Sequence, residues 1–225
     1  MVHSDVAARP GNLRIPACSA DWRFLLPIGA QSSVLVVTPD CDEFALSLDA
    51  INVRNTTQRF DDFIARLGRA ASQDVIAFPL GIPTGFSAVD EARFEAFLEN
   101  ALELLRPGGA VLFGFANRWG LRGRKRKDAP LPSTPGEMKR LLISVGYSSA
   151  VEIYCAFPNL QTPEYIFSPH ATDLRFMLRR RYRHKLPGFF VNLISSPLPT
   201  RLILRAVPFY YAVAYRARRS TPRLP

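Results

Sequence analysis

The chain has 225 residues, a mass of 25.2 kDa, and a composition of 48% hydrophobic and 21% charged residues, which is typical of a folded protein and excludes a disordered one. Its 29 Lys and Arg against 19 Asp and Glu give a formal net charge of +10, which favours partners that carry phosphate, in nucleic acid or on a lipid surface. From His170 to the end the sequence contains twelve basic side chains and one acid, so this segment carries +11 and the rest of the chain sums to −1.

Three cysteines and three histidines are spread along the chain without the spacing of a metal site or a disulfide framework. The cysteines are odd in number and form no C-x-x-C motif, which favours a reduced, cytoplasmic setting. The histidines have no second nitrogen or sulfur ligand near them in sequence, so we predict no metal site. The first residues contain no apolar run of the length that a signal peptide needs, and we expect no export.

From residue 21 onward, apolar strands alternate with amphipathic helices. Ser33 to Thr38 is a short apolar, β-branched run that stops at Pro39-Asp40, which predicts a buried strand followed by a turn. Further strands are predicted at 51–57, 74–78, 110–115 and 150–157, and helices at 41–49, 58–71, 90–105 and 134–145. This alternation predicts βαβ units and a mainly parallel sheet, preceded by a flexible arm over residues 1–20.

The ends of two helices carry strong local signals. The helix over 90–105 stops at Arg106-Pro-Gly-Gly109, where proline ends the helix and the two glycines allow positive φ. The helix over 134–145 begins at Thr134-Pro-Gly-Glu137, a capping box with proline at the first helical position, and stops at Gly146.

Three segments together resemble a known family. They are the Leu104-Leu-Arg-Pro-Gly-Gly-Ala-Val-Leu112 turn and strand, the Asn117-Arg-Trp-Gly-Leu121 stretch, and the Gly146-Tyr147 helix exit. These residues are similar to class I S-adenosylmethionine-dependent methyltransferases, of the type found in polysaccharide and natural-product clusters. The resemblance covers residues 21–169 and extends to a closing strand at 208–214. It implies a Rossmann-like α/β domain over 21–169, followed by a basic C-terminal extension over 170–225.

The resemblance also implies a site at the carboxyl ends of the strands, with S-adenosylmethionine as cofactor. The positions that match the family's cofactor contacts are Thr38, Asp40, Asp42, Asn55, Phe78 and Gly81. Those that match its substrate contacts are Asn117, Arg118 and Trp119. No His, Lys or carboxylate stands where a general base is expected, so no catalytic residue is assigned. The residues alone leave other interpretations open: helix capping for the two aspartates, a turn for Asn55 and the core for Phe78.

The sequence departs from the family's pattern in three places. The glycine-rich turn after the first strand is replaced by Thr38-Pro-Asp-Cys-Asp42, which contains no glycine. The acid that ends the second strand is matched most nearly by Asn55, which carries no charge. Sixteen residues separate Thr57 from Asp74, enough for one helix but not for an additional strand. We therefore predict a sheet that lacks one βα unit.

The composition of the C-terminal segment favours binding to a membrane surface. Asp173 to Lys185 has the composition of a basic amphipathic helix, and the apolar stretch 189–204 is interrupted by prolines before it reaches spanning length. An alternative is that these residues cover the sheet or a substrate pocket. The basic run Arg122 to Lys127 favours phosphate or lipid over nucleic acid, since no nucleic-acid-binding motif accompanies it.

Two functions follow from these observations. The first is a methyltransferase-like protein that acts on a small-molecule or lipid-linked substrate in cell-envelope, glycolipid or natural-product biosynthesis. The alternative is a catalytically inactive methyltransferase-fold scaffold that docks on an anionic membrane surface or a partner enzyme. Under both, the expected location is the cytoplasm, including the inner face of the membrane. A nucleic-acid adaptor is disfavoured.

Overall fold

Seven strands, three α-helices and one short 3-10 helix make up the described part of the chain. The computed structural model describes residues 21–38, 48, 53–59, 63, 71–80, 91–117, 134–161, 163–182 and 207–217. The strands are β1 (Ser33–Val37), β2 (Arg54–Gln58), β3 (Gln73–Phe78), β4 (Leu105–Ala116), β5 (Glu152–Phe157), β6 (Tyr165–Phe167) and β7 (Phe209–Tyr215). The helices are α1 (Glu91–Leu104), α2 (Pro135–Val145) and α3 (Ala171–Tyr182), and the 3-10 helix is Trp22–Leu25. The predicted arm, the basic run at 122–127 and the apolar stretch at 189–204 lie outside these residues.

The strands form one mixed sheet in the order β2-β1-β3-β4-β7-β5-β6. Strands β1 to β4 are parallel, β7 is antiparallel to both of its neighbours, and β6 is antiparallel to β5. The chain leaves β1 toward β2 and returns to β3 on the opposite side of β1, so the direction of winding reverses between β1 and β3. This arrangement confirms the predicted α/β class. Among the described strands β2 is the outermost on its side, and the absence of one βα unit stays a prediction.

Strand β7 lies inside the sheet, between β4 and β5. It confirms the closing strand predicted from the apolar run at 208–214. It also belongs to the segment 170–225, which the sequence analysis assigns to an extension of the domain. That part of the segment is a structural member of the domain, because seven of its residues pair with β4.

Each face of the sheet supports its own apolar cluster. Along β1, Val34 and Val36 contribute to one cluster and Leu35 and Val37 to the other, as alternation along a doubly covered strand requires. One cluster holds the phenylalanines of α1 together with the helical residue Phe63. The other holds Trp22, Leu26 and the helical residue Leu48.

Two glycines lie in the bulge near the start of β4, and each is required there for a different physical reason. Gly108 has φ 82°, which is the left-handed region. Gly109 does not, but a Cβ there would lie 2.9 Å from the carbonyl oxygens of Asp74 and Arg106. The prediction that both glycines supply positive φ is therefore wrong for Gly109, which is needed for close backbone approach. Strand pairing resumes at Ala110, after a bulge in which β4 has more residues than β3.

Helix α2 has the ends that its sequence predicts. The Thr134 hydroxyl accepts a hydrogen bond from the Glu137 amide at 3.2 Å, with proline in the first turn. Gly146 ends the helix with φ 107°. The next residue, Tyr147, donates its hydroxyl to the Leu98 carbonyl at 3.0 Å, which joins the exit of α2 to α1.

A single arginine binds the end of α1. The Arg216 guanidinium donates to the carbonyls of Leu102 at 3.1 Å and Glu103 at 3.0 Å, and also to that of Leu105. The Arg216 backbone pairs with Gly108 and Gly109. A positive charge on the last carbonyls of a helix is favourable, because these carbonyls lack intrahelical partners and carry the negative end of the helix dipole.

Candidate functional site at the carboxyl edge of the parallel strands

Buried polar side chains of the described residues gather at one edge of the sheet. Thr38, Gln58 and Asn117 are each at most 5% exposed, and they stand at the carboxyl ends of β1, β2 and β4. Because these strands are parallel, the three positions share one edge. Open α/β sheets bind ligands outside the carboxyl ends of their strands, next to the point where the winding reverses. The edge is therefore the candidate site.

The ends of β1 and β2 are joined at this point. The Thr38 amide donates to the Gln58 carbonyl at 3.1 Å, which continues the pairing one residue beyond β1. The neighbouring Thr57 pairs with Val36, and its hydroxyl oxygen is buried without a hydrogen-bond partner. A buried hydroxyl without a partner costs about 1–3 kcal/mol, so this oxygen is available to a ligand that can bond it.

Asn117 stabilises the fold at the same edge of the sheet. Its side-chain amide donates to the Val207 carbonyl and its backbone amide to the Pro208 carbonyl, both at 2.8 Å. These bonds fix the entry to β7 against the exit of β4. The substrate contact predicted for Asn117 stays a prediction. The side-chain amide group of Asn117 already donates a hydrogen bond to the Val207 carbonyl, which stabilises the fold.

Phe78 belongs to the core. It is fully buried, with its ring centroid 5.0 Å from those of Phe97 and Phe113 and 5.4 Å from that of Phe63. Such offset and edge-to-face contacts are favourable between aromatic rings. The ring therefore packs beneath the helices, and the core interpretation of this residue replaces the adenine contact.

Asn55 lies at the wrong end of its strand for the role predicted from it. The strand begins at Arg54 and ends at Gln58, whereas the sequence predicts 51–57. Asn55 pairs with Val34 near the start of β1 and donates to the Val53 carbonyl at 3.2 Å. At about 3.3 Å per residue it stands about 10 Å from Gln58. The strand-end position belongs to Gln58, which the sequence pattern assigns instead to the first position of the helix predicted at 58–71.

The remaining predicted contacts, Asp40, Asp42, Gly81, Arg118 and Trp119, lie outside the described residues. Among the residues that are described, no group of three His, Cys, Asp or Glu side chains is placed to hold a metal ion.

Burial, with a smaller contribution from Asp173, raises the pKa of Cys155 to about 12, so this thiol is protonated at neutral pH.

Comparisons with known proteins agree with this geometry at the level of the fold. No protein-family model matches the chain, and no curated protein matches its sequence. A SAM-dependent methyltransferase from Archaeoglobus fulgidus is similar in structure, with a TM-score of 0.50 and 12% identity over 83% of this chain and 86% of that one. Phosphoethanolamine N-methyltransferase 2 of Haemonchus contortus, solved with S-adenosyl-L-methionine, gives a TM-score of 0.52 and 10% identity over 87% of this chain.

The chain spans about half of the nematode enzyme, since 51% of that protein is covered. At these identities the likeness concerns the fold alone. The chain has a class I S-adenosylmethionine-dependent methyltransferase-like fold, the fold that the resemblance in the turn and helix-exit motifs implies.

Proposed function

We propose that the chain is a methyltransferase-like protein that binds S-adenosylmethionine at the carboxyl edge of β1 and β2. Its acceptor would be a small-molecule or lipid-linked substrate in cell-envelope, glycolipid or natural-product biosynthesis. The observation that carries this proposal is the gathering of Thr38, Gln58 and Asn117 at the one edge where this type of sheet binds ligands. The other fully buried residues of the described core are aliphatic or aromatic, apart from Cys155.

The described residues fit the ribose of the cofactor. The Gln58 amide offers one acceptor oxygen and one donor group, which together can bond two neighbouring hydroxyls. The unpartnered Thr57 hydroxyl, on the adjacent residue of β2, faces the other side of the sheet and is not part of this contact. A neutral amide replaces the family's carboxylate here, so the expected affinity is lower than that of a site with an acid.

When bound, the cofactor supplies an electrophilic methyl group on a sulfonium. The described residues of this chain would position the cofactor. The hydrogen bond between Thr38 and Gln58 fixes the ends of β1 and β2, and the hydrogen bonds of Asn117 fix the end of β4. Orientation and the exclusion of water account for large rate effects without proton transfer. Asp40, Asp42, Gly81, Arg118 and Trp119 remain predicted contacts on the same edge.

The second candidate is an inactive methyltransferase-fold scaffold that docks on a membrane or a biosynthetic enzyme. Two features favour it: the turn Thr38-Pro-Asp-Cys-Asp42 has no glycine, and the second strand ends in the uncharged Gln58. In the described part of the chain no helix combines the length and apolarity needed to cross a bilayer. In this candidate the basic C-terminal residues would dock at the inner face of a membrane.

Titration calorimetry with S-adenosylhomocysteine separates the two candidates. We expect a dissociation constant in the micromolar range, about −8 kcal/mol, for the unmodified protein. Gln58→Ala removes both ribose contacts and is expected to weaken binding about 10–100-fold, at about 1.4 kcal/mol per factor of ten. Asn55→Ala, on the same strand but about 10 Å away, is the matched control and should leave binding unchanged.

Gln58→Glu gives a second comparison. It restores the charge that the resemblance places at the end of the second strand, so binding should become tighter. Absence of heat with the unmodified protein and with Gln58→Glu at millimolar ligand would refute the cofactor site and favour the scaffold.

A further inference from the structure

A cleft lies at the far lateral side of the sheet from β2, where β5, β6 and α3 meet. It has a volume of about 360 Å³, which is the size of a small-molecule site. Five strand-to-strand steps separate β1 from β6 in the sheet order. At about 4.8 Å per step, the cleft is about 24 Å from the end of β1, so it is distinct from the proposed cofactor site.

Four of the nine residues that line the cleft are aromatic. Tyr154, Tyr165 and Phe167 are half-buried in β5 and β6, and Phe176 of α3 is 63% exposed. Leu25, at the end of the 3-10 helix, adds an apolar wall. Ring faces carry partial negative charge, so they attract cations as well as apolar groups.

One carboxylate lines the same cleft. Asp173, in the first turn of α3, is half-buried there, and the ion pairs seen among the described residues join Arg23 to Asp21 and Arg106 to Asp74. Among the described residues Asp173 therefore forms no ion pair. It is the single acid of α3, which also carries four arginines, so the carboxylate contributes a local negative charge to the cleft within a basic helix.

A second carboxylate stands behind one of the rings. The Tyr154 hydroxyl donates to Glu152 at 2.5 Å. Burial, and next this hydrogen bond, raise the pKa of Tyr154 to about 12, so the phenol is neutral and continues to donate at neutral pH. The negative charge of Glu152 thus adds to that of Asp173 at this end of the sheet.

We propose that the cleft binds a small organic cation, an amine or quaternary ammonium with apolar substituents. The rings would surround the apolar and positively charged head, and Asp173 would complement its charge. Asp173 also favours the N-terminus of α3 through the helix dipole, so the experiment must separate ligand binding from helix stability.

Choline and its neutral isostere 3,3-dimethylbutan-1-ol separate charge recognition from simple apolar binding. Ligand-observed NMR titrations should show choline bound at least fivefold more tightly than the isostere. Phe176→Ala changes an exposed side chain, so the fold is retained, and it should weaken choline binding at least threefold. Asp173→Asn should abolish the preference for choline over the isostere, and Asp173→Glu should keep it.

Glu99→Gln replaces an exposed carboxylate on α1 by a carboxamide. It is the matched control and should leave choline binding unchanged. Equal binding of choline and the isostere would overturn the proposal, as would an undiminished preference in Asp173→Asn. Binding of a basic peptide or of vesicles at this cleft, without competition by choline, would also overturn it and indicate a macromolecular partner.

Discussion

Replacement of Gly109 by alanine tests the tightest backbone approach in the described fold. The added Cβ would lie 2.9 Å from two backbone oxygens, those of Asp74 in β3 and Arg106 in the preceding turn. Real Cβ atoms essentially never stand under 3.0 Å from such atoms. Neither oxygen is at the end of a flexible side chain, so β3 and β4 must move apart at the bulge.

The magnitude follows from two opposing contributions. Overpacking of a tight site costs about 1–3 kcal/mol. Alanine also restricts the unfolded chain more than glycine does, which stabilises the folded protein by about 0.4–1 kcal/mol. We therefore expect Gly109→Ala to lower the free energy of unfolding by about 1–2 kcal/mol.

Gly136→Ala is the matched control, since it makes the same chemical change in the first turn of α2. Nothing lies within 4 Å of the Cβ that it would add. The variant should be more stable than the unmodified protein by about 0.5–1 kcal/mol. Urea unfolding followed by circular dichroism at 25 °C measures both values. The reasoning is refuted if Gly109→Ala is as stable as the unmodified protein, or if the two variants shift in the same direction.

Three further outcomes are expected. Arg216→Met should lower the free energy of unfolding by about 2–3 kcal/mol, because it removes a charged donor from the end of α1. Its control, Arg140→Met, loses one hydrogen bond of 3.4 Å and should change the free energy of unfolding by less than about 0.5 kcal/mol. Urea unfolding measures both variants. Phe78→Ala should cost about 3–5 kcal/mol by leaving a cavity among three other rings, and a loss of ligand affinity without a loss of stability would contradict the core assignment. Burial raises the pKa of several tyrosines, Tyr147 most of all, so their contribution to stability is complete below pH 10 and is lost as the pH rises through the higher folded pKa values; absorbance at 295 nm at pH 11 should show less phenolate in the folded protein than in denaturant.

The parts of the fold that could be predicted are those with local causes. Strands β1 and β3 are continuous apolar runs, and such runs indicate burial on both faces. The ends of α2 follow from Thr134 and Gly146, whose capping preferences act within a few residues. In contrast, β2 is predicted at 51–57 but found at Arg54–Gln58, because the bounds of this polar strand depend on pairing with β1.

Interactions between distant residues could not be predicted. Arg216 is more than a hundred residues from the helix end that it binds, and no local pattern connects the two. The insertion of β7 between β4 and β5 likewise depends on the whole sheet, so the basic C-terminal segment looked like an addition to the domain.

The candidate site could be predicted at the level of strand ends but only partly at the level of side chains. Thr38 stands at the end of β1 as predicted, because the limits of that strand are sharp in the sequence. Gln58 was missed since the end of β2 is shifted by one residue from the prediction, and a shift of this size transfers the position to another side chain. Phe78 occupies the predicted strand end, but alternation directs its ring into the core.

Hydrogen–deuterium exchange with saturating S-adenosylhomocysteine tests the central claim most directly, because it shows where a bound ligand lies. The account predicts slower exchange of amides at residues 36–38 and 57–59, at the carboxyl ends of β1 and β2, with no change in α2. Saturation of the protein with ligand without protection at these two strand ends would contradict the account.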